Sequence, residues 1–309
     1  MFWGEKRYYS VDYYLKNTFG EKVYRLSLNG GMTCPNRDGT LDTRGCIFCS
    51  AAGSGDFAQN ARESIPKQLS DAKAQIRTKR NCNKFIAYFQ AYTNTYAPVD
   101  YLRAIFMEAI QDPDVVILSI ATRPDCLSDE VLDLLRELNQ IKPVWIELGL
   151  QTIHPETSHF IRSGFTLECF HEAVNRLSAL SIPVIVHVIL GLPGETRTQM
   201  LETVSHVGAL HVFGIKLQLL HVLSDTDLGT LYKEQPFHLF TQEEYCQLIV
   251  NCLAILPPEI TIHRLTGDGP KDLLIGPLWS SAKRSVLNQI HRELKAQDIW
   301  QGKHYKGLI

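Results

Sequence analysis

Cys34, Cys46 and Cys49 share one loop rich in proline, glycine, asparagine and aspartate, spaced Cys-x11-Cys-x2-Cys, with no fourth cysteine nearby. Thiolates are soft ligands that select iron–sulfur clusters, zinc or copper, and a Cys-x-x-Cys pair can reach one metal centre from a tight turn. A structural zinc site closes its tetrahedron with a second Cys-x-x-Cys or a histidine pair at related spacing. Neither follows here: the next cysteine is Cys82, beyond an expected helix, and the next histidine is His154. Three cysteines on a cubane cluster would leave one iron open to an outside ligand, with Phe48 as an apolar wall beside it. Zinc bound within an RNA-binding module, or thiols with no shared ligand, are the alternatives.

Such a loop needs a scaffold, and the chain alternates strand-like with helix-like patterns. Residues 23–29 alternate around Tyr24, Leu26 and Leu28 and end in Gly30-Gly31, a strand emptying into the cysteine loop. The patterns predict further strands over 84–90, 115–120, 144–150, 184–190 and 215–222, and helices over 65–79, 99–110, 128–138, 167–180 and 242–256, with Ser128 as an N-cap. Repeated β-then-α units mean parallel strands with right-handed crossovers. The expected fold class is therefore α/β, a partial (β/α)6 TIM-like barrel over 23–256. A short extension over 1–22 precedes it, and one over 257–309, with a strand at 260–265 and a helix at 279–297, packs on it.

Composition narrows the class. The 309 residues are 45% hydrophobic and 21% charged with a formal net charge of -2, which is globular and carries no global basic excess. Cys82, Cys126, Cys169, Cys246 and Cys252 fall in apolar-patterned segments and read as small buried hydrophobes, which argues for a reducing compartment. The N-terminal sequence lacks a secretory pattern and no apolar stretch is long enough to span a bilayer, so a cytoplasmic protein without a membrane partner is expected.

The three cysteines, in the wording CPNRDG followed by GCIFC, resemble the radical S-adenosylmethionine (SAM) superfamily. The usual spacing there is Cys-x3-Cys-x2-Cys; the longer first interval here is similar to the YhcC/YtqA-like branch, related to the radical SAM domain of the Elongator catalytic subunit. The resemblance implies a [4Fe–4S] cluster on Cys34, Cys46 and Cys49, SAM chelated to the open iron, and a one-electron reductant such as flavodoxin or ferredoxin. A reduced cluster would cleave the SAM sulfonium to a 5′-deoxyadenosyl radical that abstracts hydrogen. That step needs no general acid or base, so no catalytic residue beyond the cluster ligands is expected.

In parallel barrels ligands bind at the C-terminal strand ends, which directs attention to each following loop. Thr93, with Tyr92 and Asn94, stands where the superfamily usually has a Gly-Gly-Glu-like segment for the SAM amino group. Arg123, beside Asp125, is placed to hold the SAM carboxylate or a substrate anion. Glu147 breaks an apolar strand, where a charge is costly unless paired or used. The run from Glu147 to Thr152 resembles the E-x-G-x-Q-S/T strand of Elongator-like and coproporphyrinogen-dehydrogenase-like families, implying Gln151 near the SAM ribose. Ile161 to Phe165 resembles their N-R-G-H segment, of which only Arg162 carries over, toward the SAM carboxylate. Gly191 and Gly194 let backbone approach a flat ligand, by resemblance the adenine. For substrate, the candidates are Glu147, His187, His221, Asp225, His263, Arg264 and Asp268, with an ordinary core role the alternative for His187.

Basic stretches over 62–84 and 283–306 suit phosphate contacts or solvated helix faces. Tyr8, Tyr9, Tyr13 and Tyr14 suit base stacking or a cover over the barrel. The branch is associated with bacterial tRNA wobble-uridine modification, conversion of 5-carboxymethylaminomethyl to 5-aminomethyl. The resemblance therefore implies a tRNA-modifying radical SAM enzyme. A radical SAM enzyme for a small metabolite or porphyrin-like substrate is the second reading.

Overall fold

The computed structural model describes residues 2–53, 55–267 and 269–307. Asp268, named above as a substrate candidate, lies outside them. Six β–α units run in order: β1 (Tyr24–Leu28), β2 (Phe85–Phe89), β3 (Val115–Thr122), β4 (Val144–Gln151), β5 (Val184–Leu190) and β6 (Gly214–Leu219). Each strand pairs in parallel with the next, and β8 (Thr261–Arg264) adds a seventh parallel strand beside β6. The short strand at 260–265 thus extends the sheet itself. The result is the expected partial barrel, a curled sheet that does not close.

The helices are α1 (Val11–Phe19), α2 (Ile65–Arg77), α3 (Val99–Gln111), α4 (Asp129–Ile141), α5 (Pro155–Phe160), α6 (Leu167–Ala179), α7 (Arg197–Ala209), α8 (Asp227–Glu234), α9 (Gln242–Ile255) and α10 (Lys283–Ala296). Strand residues such as Leu118, Ile146 and Val186 and helix residues such as Phe106, Leu135 and Leu177 join one apolar core. Thr196 and Thr241 each cap a helix with a reciprocal capping box, to Gln199 and Glu244, satisfying orphan backbone donors. Among the described residues no helix is long and apolar enough to cross a membrane.

A second cluster sits inside the curl, where Leu15 of α1 meets Val23, Ile86, Ile117 and Trp145 at the starts of strands. Tyr14 packs edge-on against Phe213, and Tyr8 is buried beside His291. These tyrosines therefore cover the end of the barrel that faces away from the functional loops. The chain before α1 also lies along β8, the Ile262 amide donating to the Tyr9 carbonyl at 2.7 Å.

The expected strand at 215–222 stops at Leu219; after a turn, β7 (Val222–Leu223) pairs antiparallel with β9 (Leu274–Gly276). Cys82, Cys246 and Cys252 are buried as expected, but Cys126 and Cys169 are half-buried. They lie in the turn after β3 and the first turn of α6, at element ends that the apolar pattern does not resolve.

Candidate active site

The loop after β1 is held in shape by its own polar residues. The Arg37 and Asp38 amides donate to the Cys34 carbonyl, and the Cys49 amide closes a turn onto the Cys46 carbonyl at 3.0 Å. Asn36, 1% exposed, donates from Nδ2 to the carbonyls of Arg162 (2.7 Å) and Ser163 (3.3 Å) and lies 3.5 Å from Cys46 Sγ. Arg37 donates from Nη2 to the carbonyls of Cys49 (2.9 Å) and Ser50 (2.7 Å). Neither residue stood out in the sequence; the Asn-Arg pair inside CPNRDG was the available signal.

Cys34, Cys46 and Cys49 line one cavity of about 290 Å³. Among the described residues no three His, Cys, Asp or Glu side chains are gathered as a single-ion site. The three thiols share one cavity, and Cys46 feels the charges of both Cys49 and Cys34, so this donor set fits a three-cysteine cluster, which takes its thiolates at separate corners. Burial pushes the Cys46 thiol up to about 12, with Cys49 adding to the rise and Arg123 opposing it. Ligation must therefore displace a proton that burial holds firmly on Cys46.

Thr93, Arg123, Glu147, Gln151, His187, His221 and Arg264 line the same cavity. Arg123 is gripped by Asp125 through two bonds of 2.9 and 2.7 Å. Gln151 ends β4 at a register shift with φ 70°, and its Oε1 is buried without a partner, an acceptor that a ligand donor would satisfy. A Cβ on Gly149 would lie 2.7 Å from Gln151 Nε2, so the glycine makes room for the amide. Tyr92 (φ 59°) and Arg162 (φ 58°) share that left-handed backbone; such strain, roughly 1–3 kcal/mol each, gathers at functional sites.

Other candidates stand elsewhere. Arg162 does not line the cavity; its Nη2 donates to Asp227 at 2.6 Å, while its buried Nε has no partner. Gly191 backs onto the Phe240 ring, and Gly194 faces open space. Asp225 accepts from the Ala51 amide at 3.2 Å, pinning the end of the cysteine loop. Of the first basic stretch, Lys67 pairs with Asp71, Lys73 with Asp112 and Asp114, and Arg77 with Asp114, which neutralises that part of the helix face.

Below the loops the cavity runs into a polar interior. Glu147, fully buried, accepts from Ser119 (2.9 Å), meets His187 Nε2 (2.8 Å) and Arg25 (3.3 Å), and is in contact with the Lys216 ammonium. Burial opposes its ionisation, but Lys216, Arg25 and His187 outweigh that and hold the carboxyl well below its ordinary value. Burial lowers His187 to about 4, with Lys216 adding to the effect, so at neutral pH it is uncharged. Lys216 and Arg25 were missed in the sequence, although Lys216 interrupts an apolar strand as Glu147 does. His263 lies behind this group, hydrogen-bonded to Thr261 and edge-on to Trp145.

Residues 43–207 match the family model described as Radical SAM superfamily, and residues 212–296 match the Radical_SAM C-terminal domain. YtqA of Bacillus subtilis is 47% identical over 98% of this chain and 94% of its own length. A tRNA uridine(34) acetyltransferase of Methanocaldococcus jannaschii is 25% identical over 57% of this chain and 32% of its own. In three dimensions, Elp3 of Methanocaldococcus infernus with an N-terminal deletion superposes with TM-score 0.69 at 15% identity, covering 90% of this chain and 64% of that one. The seven-strand partial barrel thus has its counterpart in a solved fold, and the family models and the YtqA relative agree: the chain belongs to the radical SAM superfamily, in its YhcC/YtqA-like branch, whose chemistry uses a [4Fe–4S] cluster, SAM and a one-electron reductant.

Proposed function

We propose that this protein is a tRNA-modifying radical SAM enzyme of the cytoplasm, acting on the C5 side chain of wobble uridine and converting 5-carboxymethylaminomethyl to 5-aminomethyl. The observation that carries the enzymatic part is the trio of cysteines on the wall of a cavity that continues into a charged barrel interior. The substrate part is supported by the branch's association and, distantly, by a relative whose name specifies tRNA uridine 34.

Cys34, Cys46 and Cys49 would hold the cluster, with residues 23–256 as the catalytic barrel. Bound there, cluster and SAM supply the 5′-deoxyadenosyl radical by one-electron cleavage of the sulfonium. The protein's part is to bind, orient and exclude water. Gln151 would satisfy its orphaned oxygen on a SAM hydroxyl, and Thr93 and Arg123 would frame the amino-acid end. Arg162 is assigned the SAM carboxylate in exchange for Asp227, and Gly191 and Gly194 the adenine side. Asn36 and Arg37 hold the cysteine loop over the cavity, and Glu147, with its three basic neighbours, keeps the interior polar and rigid.

The test is an anaerobic assay of the iron-reconstituted protein with SAM, a reductant and tRNA from cells lacking it, with nucleosides read by mass spectrometry. A wobble-uridine mass loss that requires SAM and Cys34 is expected. Formation of 5′-deoxyadenosine with every nucleoside unchanged would contradict the tRNA assignment and move the search to small molecules.

A further inference from the structure

The barrel interior holds a cation that its own carboxylate cannot serve. Both oxygens of Glu147 are engaged: Oε1 by Ser119 and Arg25, Oε2 by His187 and Lys216. Arg264 ends β8, placed opposite Lys216 by the strand register, and lines the same cavity. Its Nη1 donates to Gln218 Oε1 at 3.0 Å, a neutral amide, and among the described residues no carboxylate stands within 4 Å of it. A half-buried guanidinium held by a neutral partner, in a cavity wall that also carries Lys216, is an arrangement completed by an incoming anion. Its planar fork matches a carboxylate bidentately, and Gln218 fixes its plane.

We infer that Arg264 is the docking point for a carboxylate of the substrate, on the cavity wall formed by β6 and β8. The inference rests on the proposed function, in which the group removed from the uridine side chain ends in a carboxylate. SAM carries the same chemistry at its amino-acid end, so the test must separate the two sources.

Binding of [1-13C]acetate is followed by NMR line broadening on the cluster-loaded, unreduced enzyme saturated with SAM. Saturable binding is expected, weakened at least about tenfold in Arg264→Gln, the worth of one charge-assisted hydrogen bond. Arg264→Lys, which keeps the charge without the fork, should fall between, and Lys79→Gln should match wild type. Equal acetate binding in wild type and Arg264→Gln, or acetate that displaces SAM, would overturn the inference. With tRNA bearing 5-carboxymethylaminomethyluridine, Arg264→Gln should raise KM about tenfold and increase the 5′-deoxyadenosine formed per nucleoside converted. Acetate held at Arg264 beside bound SAM, in an enzyme that leaves such tRNA unchanged, would support the anion site while refuting the wobble-uridine assignment.

Discussion

At the scale of single residues, most of the chemistry lies in polar atoms whose partners are few or missing. Gln151 Oε1 is buried without a hydrogen bond, so Gln151→Ala should weaken SAM binding by about 1–2 kcal/mol while leaving folding intact; calorimetric titration that finds unchanged affinity would return Gln151 to a bystander. Glu147 behaves in the opposite way. Removing its charge in Glu147→Gln strands Lys216 and Arg25 in the interior, with an expected loss of about 3–5 kcal/mol of stability, read from the denaturant midpoint. The sequence announced Glu147 by a charge in an apolar strand and Gln151 by its place at a strand end. Lys216 gave the same signal, a charge in an apolar strand, but its role was not legible, because its ammonium meets Glu147 only after the sheet curls.

At the scale of elements, the loop that carries the cysteines depends on close backbone contacts. Gly53 has φ 59°, and a Cβ there would lie 2.2 Å from the Tyr92 ring, whose hydroxyl donates to the Ala51 carbonyl at 2.6 Å. Gly53→Ala should therefore displace the turn that packs the cysteine loop against Tyr92, after β2, and lower cluster retention, measured as iron and labile sulfide per chain. Iron content equal to wild type would show that the turn yields without cost. Periodicity made the six β–α units legible because parallel strands buried on both faces read as apolar runs. The sequence offered the N-terminal tyrosines as a cover over the barrel but did not show the helix α1 that carries Tyr13 and Tyr14, nor the turn that divides the segment after β6 between two sheets, since both are decided by tertiary packing. Arg162 was legible as a motif position; its pairing with Asp227 on α8 was not, because 65 residues separate them.

At the scale of the whole molecule, the buried imidazoles tie stability to pH. Burial lowers His187 to about 4 and His263 well below its ordinary value; Glu147, Lys216 and Arg264 face the former. As pH falls, the unfolded chain takes up these protons first, so their contribution is full above about pH 7 and drains from about 6.5 toward 4. The anaerobic melting temperature should fall between pH 7.5 and pH 5, by less in His187→Gln than in wild type; equal slopes would place the sensitivity elsewhere. The chemistry of the whole barrel centres on three thiols serving one cluster at its mouth. The most direct measurement is electron paramagnetic resonance of the reduced, reconstituted protein with SAM labelled by 17O in its carboxylate, alongside iron and sulfide analysis. About four irons and four sulfides per chain and a label coupled to the cluster are expected, retained in Cys82→Ala and lost in Cys34→Ala, Cys46→Ala or Cys49→Ala. One zinc without sulfide, or an uncoupled label on an intact cluster, would contradict this assignment.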